Sequence, residues 1–365
     1  MQRELSLDIF RGLTLAAMIL VNTPGSWSSV YWPLLHAKWS GLTPTDLVFP
    51  FFLFIVGAAM FHSMSRLQKG EIPWLKIIKR TALLFLIGLM LNIYPFNESA
   101  ENWRIMGVLQ RIALCYFLAA ILILTIANKK GLWICSGLML LGYFALMLTE
   151  ASPWALESNL ARQVDLYLLG ASHLYKGFGV AFDPEGLLST LPATVTVIIG
   201  YLTSAMLAEC HSSSDKIKRL LGYGVLALLA GVIWHQWMPI NKPLWTSSYV
   251  LVTAGFAWLL LALIVFAHDM RGWHKSLEWA QIYGSNPLFI YVLSSLFATT
   301  MGQVLIFDVE GDNGEKVISA HRLGYEFLNQ FLSAHNASLV FALLVVGMFY
   351  LLSLWLFKRK IFIKL

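Results

Sequence analysis

In this 365-residue chain the stretch NTPGSWSSVYWPLLHAKWSGLTPTDLVFPFFLF, residues 22–54, sets one histidine, His36, among Trp27, Tyr31, Trp32 and Trp39, with Asp46 ten residues on. A histidine can hold or release a proton near neutral pH, so it can serve as a general acid or base. No histidine or carboxylate stands three or four residues from His36, which argues against a metal pair on one helical turn. The surrounding tryptophans and tyrosine also fit an aromatic belt at a membrane surface, and a purely structural histidine there stays open. Asp46 likewise has two readings. Thr43, Pro44, Thr45 and Asp46 have the form of a helix start, with Thr43 or Thr45 as cap and Asp46 in the first turn. A catalytic carboxylate is equally open.

Other polar residues interrupt apolar runs. Asp8 and Arg11 are three apart on one helical face and can neutralise each other. Gln110 and Arg111 enter a later run. If that helix starts near Ile105, Arg111 lies about 9 Å along it and needs an acidic or phosphate partner, as a structural ion pair or a ligand anchor. Asn22, Asn92 and Asn286 are neutral amides at similar depth. Asn286 belongs to Tyr283-Gly284-Ser285-Asn286-Pro287, a break that membrane depth tolerates only where it is buried or lines a cavity.

The elements that must position these groups follow from composition. Residues of the AVILMFWYC set make up 58% of the chain, charged residues 13%, and mean hydropathy is +0.67. A soluble domain carries about 25% charged residues to cover itself, so this surface faces lipid, and a soluble nucleotide-binding enzyme or a disordered chain is excluded. Runs long enough to span a bilayer fall at about 9–24, 47–67, 77–95, 105–127, 131–149, 186–208, 218–237, 247–267, 279–301 and 338–357. The first is short. Asp8 and Arg11 interrupt its leading segment and no small-residue cleavage site precedes Asn22 and Pro24, so it is expected as a retained helix rather than a signal peptide. With the N-terminus inside, 17 of the 26 Lys and Arg residues fall on inner segments and 7 on outer ones. That is the positive-inside bias. The net charge of +6 therefore marks orientation, and no nucleic-acid partner is expected. The predicted fold class is all-α: a polytopic membrane protein of about ten transmembrane helices with both termini cytoplasmic, forming one domain over residues 1–365.

The outer segments at about 150–185 and 302–337 are long, the latter with the acidic stretch DVEGDNGEK, and the inner ones are short. Cys115 and Cys135 lie in spans and Cys210 at an inner helix end, where no disulfide is expected. His268 and His274 flank an inner loop and read as solvated residues, so no metal site is expected. Pro192 reads as a kink in the sixth span. Hydrolase, Walker-type and dinucleotide motifs do not occur.

Three segments carry a family resemblance. SLDIFRGLTLAAMILVN, HAKWSGLTPTDLVFPFFLFIVGAAM and MGVLQRIALCY are similar to the heparan-α-glucosaminide N-acetyltransferase family, especially to its short bacterial members. HLYKGFGVAFDPEGLLSTLPA and NKPLWTSSYVL extend the likeness into the second half. The resemblance implies an acetyl-CoA-dependent acyltransferase that acylates the amine of an amino sugar or saccharide at the outer face. It implies a bacterial inner-membrane location, and it leaves a homodimer open. It maps the active-site histidine onto His36 and the active-site asparagine onto Asn22. His36 would take the amine proton or carry the acetyl group. Asn22 would donate to the developing oxyanion, and Asp46 would orient the imidazole. Arg111, Gln110 and Asn286 are the candidates for cofactor binding, with Lys76, Lys79 and Arg80 as further partners for the CoA phosphates.

The rival is a secondary transporter for sugars or cell-wall fragments. Transporters usually show paired broken helices in two repeated halves. One interrupted span is plain here, and the polar residues gather at the edges of the first four runs, which favours the enzyme.

Overall fold

A backbone in hydrocarbon must satisfy its own N–H and C=O groups, and each apolar run accordingly closes into a helix. The computed structural model describes residues 4–64, 72–126, 128–311 and 314–363. The first half holds α1 (Leu5–Asn22), α2 (Val48–Met64), α3 (Trp74–Ile93), α4 (Val108–Thr125), α5 (Lys129–Met147), the short α6 (Leu160–Leu168) and α7 (Thr190–Leu207). The second half holds α8 (Ser213–Trp234), α9 (Ser247–Val265), α10 (His274–Tyr283), α11 (Pro287–Thr299), strands β1 (Ile306–Gly311) and β2 (Gly314–Ser319), α12 (Ala320–Asn329) and α13 (Ala334–Lys358). Among the described residues nine helices are long and apolar enough to cross a membrane. The expected third span is α3, of comparable length, with Lys76, Lys79 and Arg80 in its first two turns. Arg3, Arg66, Lys69 and Lys364 of the inner charge count lie outside the described residues, as do Asp312 and Asn313 of the acidic stretch.

The first and last described residues, Glu4 and Ile363, lie at one end of the bundle. There Glu4 pairs with Lys216 at 2.8 Å and Lys129 pairs with Glu209. The opposite, far end is tied by Gly25 N–H to the Ser338 carbonyl and by Trp39 Nε1–H to the Trp154 carbonyl. α2 packs on α7, α3 on α4, α8 on α9, and α1 crosses α10. Glycine permits two of these approaches. A Cβ on Gly57 would lie 1.8 Å from the Val197 carbonyl oxygen, and one on Gly12 would lie 1.6 Å from that of Ala280.

Several segments differ from expectation. The fourth helix starts at Val108, not near Ile105, because Asn92 Nδ2 donates to the carbonyls of Arg104 and Met106 and holds that segment against α3. Arg111 therefore stands in the first turn. The expected loop at 302–337 contains the hairpin β1–β2 and α12. Pro192 falls in the first turn of α7, where its missing N–H costs nothing. His268 is not a solvated residue. It is buried in a π-helical turn, with Nδ1 2.6 Å from Asp269 Oδ1 and Nε2 3.1 Å from His274 Nδ1. The break at 284–286 separates α10 from α11, and Asn286 spans it. Its Nδ2 donates to the Ile361 carbonyl and its Oδ1 accepts from Ile363 N–H.

Candidate functional site

The connection from α1 to α2 folds back at the far end so that Asp46 meets His36. Pro44 to Leu47 form a 3₁₀ turn, and Asp46 Oδ2 accepts from Thr43 N–H at 3.0 Å, from Thr43 Oγ1 at 3.0 Å and from Ala37 N–H at 3.1 Å. Its other oxygen, Oδ1, lies 2.7 Å from His36 Nδ1. Tyr249 on α9 donates its hydroxyl to the Asp46 main-chain carbonyl at 2.6 Å. The carboxylate is buried while 46% of the His36 side chain stays exposed, so the ring is held at Nδ1 and left partly open. The helix-cap and imidazole-orienting readings of Asp46 are thus compatible: each carboxylate oxygen serves one.

Lys242, from the connection between α8 and α9, completes the cluster. Gly41, at φ 119°, turns its N–H onto the Ile240 carbonyl at 2.8 Å and joins the two connections. Lys242 Nζ then lies 2.9 Å from His36 Nδ1, 3.4 Å from Nε2 and 3.5 Å from Asp46 Oδ1. Burial lowers the lysine below its ordinary range, and the Asp46 and Glu185 carboxylates draw it back in part.

Behind Lys242 a second polar group closes the far end. Arg104 grips Asp183 with Nε and Nη2 at 2.9 and 2.8 Å and Glu185 with Nη2 at 2.6 Å, and it lies 4.7 Å over the Tyr175 ring. Burial works against that charge, and the two carboxylates more than offset it, so Arg104 titrates above its ordinary range. Gly186 follows. Its carbonyl accepts from Arg111 Nη2 at 2.9 Å, and its Cα face lies against Asp165, whose Oδ2 would be 1.9 Å from a Cβ there. Burial pushes the Asp165 carboxyl up to about 7; Leu187 N–H and Arg111 oppose the rise and Asp183 adds to it.

At the termini end a cavity of about 740 Å³ runs up between α1, α2, α3, α4 and α11, within the range of small-molecule and cofactor sites. Its polar walls come from Asp8, Arg11, His62 and Arg80. Asp8 and Arg11 form the expected pair at 3.0 Å. Arg80 lies 4.8 Å over the Tyr116 ring, and its Nε is buried without a hydrogen-bond partner. Such a guanidinium, stacked and holding an unused N–H, suits a phosphate. Phe52 also lines the cavity. It is six residues beyond Asp46, about 10 Å along the turn and helix.

The sequence-predicted residues therefore separate. His36 and Asp46 are brought together. Asn22 ends α1, exposed at the same end of the bundle, and α1 packs against the turn that carries Asp46. Arg80 is on the cavity, whereas Lys76 and Lys79 are exposed. Arg111, Gln110 and Asn286 are not among the described lining residues. Arg111 is fully buried, bonded to Gly186 and Ser189 and 5.3 Å from the Trp245 ring, in place of the expected charged partner. Gln110 donates to the Ile105 carbonyl at 2.9 Å. Leu109, Ile112 and Tyr116 show the helical period of the cavity face, which positions 110 and 111 leave. Lys242, Glu185 and Asp165 were not anticipated. The signal for the first two lay in NKPLWTSSYVL and HLYKGFGVAFDPEGLLSTLPA, where family likeness continued without any residue standing out.

Comparison with known proteins bears on the whole arrangement. The family model described as "Heparan-alpha-glucosaminide N-acetyltransferase, catalytic" matches residues 3–210, which include His36, Asp46, Arg80 and Glu185 but not Lys242. The curated protein heparan-alpha-glucosaminide N-acetyltransferase of Homo sapiens is 28% identical over 361 residues, covering 80% of this chain and 52% of its own. Its Mus musculus counterpart is 29% identical over 347 residues, covering 78% and 52%. The chain spans about half the length of these relatives.

Proposed function

The chain belongs to the heparan-alpha-glucosaminide N-acetyltransferase family, and from that premise we propose that it is a membrane-embedded acetyltransferase whose acceptor is the amine of an amino sugar or saccharide. In this reading acyl-CoA enters from the termini end, which faces the cytoplasm of a bacterial inner membrane, and the acceptor meets His36 at the outer face. The observation that carries it is the His36–Asp46 contact of 2.7 Å on a partly exposed imidazole.

The amine must lose a proton as it attacks the thioester carbonyl. His36 Nε2 takes that proton while Asp46 holds Nδ1–H, and the imidazolium then returns it to the departing thiolate. General acid–base help of this kind contributes about 10²–10⁴-fold. Asn22 donates to the oxygen that gains charge, an interaction worth about 3 kcal/mol. The cavity supports the choice of donor. Arg80 would take a phosphate of the nucleotide, and the apolar wall formed by Phe52, Ile55, Leu109 and Ile112 would receive the arm that leads toward Asp46. Arg111, Gln110 and Asn286 would act indirectly, by fixing the far end of α4 and the C-terminal segment beside the cavity.

The test is purified protein in lipid nanodiscs with labelled acetyl-CoA and glucosamine or small amino-saccharides. Labelled N-acetyl product from the wild type and none from His36→Ala is the expected result. Sugar uptake into liposomes with no CoA binding would replace this reading with the transporter. A rapid acid quench that captures acetyl on His36 would replace direct transfer with a two-step route.

A further inference from the structure

The Lys242 ammonium stands over the face of the His36 ring, 2.9 Å from Nδ1 and 3.4 Å from Nε2. Asp46 Oδ1 meets Nδ1 at 2.7 Å, so Nδ1–H points to the carboxylate and Nε2 carries the lone pair that takes the amine proton. A base works at about 2.6–3.2 Å from the group it deprotonates, and the oxygen that gains charge is two bonds from that amine nitrogen. The oxyanion therefore forms close to Nε2, in space that Lys242 Nζ borders. We infer that Lys242 is a further catalytic residue, whose ammonium stabilises the tetrahedral oxyanion of acetyl transfer. The inference rests on the transferase reading.

The backbone around Lys242 is fixed by its own neighbours. Asn241 is fully buried; its N–H donates to Thr246 Oγ1 at 3.0 Å, and its Oδ1 accepts from Leu244 N–H at 2.8 Å. The Lys242 carbonyl accepts from Trp245 N–H at 2.9 Å, and the buried Trp245 is held at φ 49°. That left-handed conformation is costly for a bulky side chain and persists where the surroundings over-determine it, as they do at active sites. Asp46 and Glu185 favour the charged lysine against the cost of burial, and 18% of its side chain stays exposed. A cation already in place needs no reorganisation when charge develops beside it. In the step itself the amine nitrogen bonds to the acyl carbon, and the carbonyl pair moves onto the oxygen beside Lys242 Nζ. His36 Nε2 takes the amine proton. The oxyanion pair then re-forms C=O, the C–S bond breaks, and the imidazolium returns the proton to the thiolate. Lys242 keeps its protons throughout and adds a charge to the neutral donor assigned to Asn22.

The test is single-turnover acetyl transfer to glucosamine or small amino-saccharides by purified protein in nanodiscs, at saturating acetyl-CoA. Lys242→Met and Lys242→Gln should each slow transfer about 10²–10³-fold, as loss of one oxyanion donor does. Both should bind a non-reactive thioether analogue of acetyl-CoA as the wild type does, and thermal unfolding should show them folded at the assay temperature. Lys242→Arg retains the cation and should recover part of the lost rate. Lys242→Gln decides the matter if Lys242→Met misfolds. Wild-type rates in a neutral variant, analogue binding that weakens in step with the rate, or an arginine variant as slow as the methionine one would each overturn the catalytic role. A wild type that transfers nothing removes the transferase reading and this inference with it. A wild type that transfers no faster than Lys242→Met removes the inference alone.

Discussion

Asp46 divides its carboxylate between His36 and its own helix start: Oδ1 meets the imidazole at 2.7 Å while Oδ2 takes two backbone N–H groups and the Thr43 hydroxyl. One side chain thus fixes both the loop and the ring, and its substitutions should be separable. Asp46→Asn keeps an acceptor for the cap but weakens the hold on Nδ1, so acetyl transfer should fall by about 10²–10⁴-fold with a small change in thermal midpoint. Asp46→Ala should also lose about 0.5–2 kcal/mol as the cap is removed. Equal midpoints for the two variants would count against the divided role.

Arg80 should govern donor affinity. Arg80→Met keeps much of the contact with Tyr116 and removes the unused N–H, so KM for acyl-CoA should rise about tenfold, equivalent to about 1.4 kcal/mol, with KM for the amino sugar unchanged. Lys79→Ala, exposed and off the cavity, should alter neither. Initial rates against each substrate in turn decide the matter, and a kcat effect without a KM effect would place Arg80 elsewhere.

Asp165 should make stability depend on pH in an unusual direction for a carboxylate. Burial lifts it from 3.8 to about 7. Between about pH 4 and pH 7 the folded chain therefore holds a proton that the unfolded chain has released. Stability contributed by this group falls as pH rises through that window and is flat above it. Asp165→Asn cannot titrate, so the gap between its unfolding midpoint and that of the wild type should widen in the variant's favour from pH 4.5 to pH 8. Parallel curves would contradict the assignment.

The α2–α7 crossing should be intolerant of a single methyl group. Gly57→Ala would place Cβ 1.8 Å from the Val197 carbonyl oxygen, and Gly200→Ala would place it 1.9 Å from that of Phe54. Both helices must part, at a cost of roughly 1–3 kcal/mol or more. Gly137→Ala meets nothing within 4 Å and should gain about 0.5–1 kcal/mol from helix propensity. Thermal unfolding in one detergent compares the three.

Much of the architecture was legible because hydropathy and helical period are local properties. Among the described residues each of the ten apolar runs falls on helix, the ninth divided between α10 and α11, and Pro287 with Gly284 announced that break. Asp8 and Arg11 paired as their spacing required, since three residues place two side chains on one helical face. Even the cap could be narrowed from four consecutive residues to Thr43 or Thr45, and the structure uses Thr43. Length, composition and family likeness together determined a helical membrane protein of this family, and they singled out His36 and Asp46 as candidates.

What the tertiary structure decided is which distant residues share a site. Lys242 stands 206 positions from His36. It meets the imidazole only because Gly41 joins the two connections at the far end of the bundle. Arg111 was expected to seek a charge, yet the helix start set by Asn92 and the turn at Gly186 direct it to a carbonyl, a hydroxyl and an aromatic face. Asn286 meets Ile361 and Ile363 of the C-terminal segment, 75 and 77 positions on, a pairing that no local spacing could show. Periodicity states which face a residue occupies; it carries no information about which helix covers that face. That choice depends on how closely backbones can pack, and here it rests on glycines such as Gly12 and Gly57, whose missing side chains let neighbouring carbonyls approach.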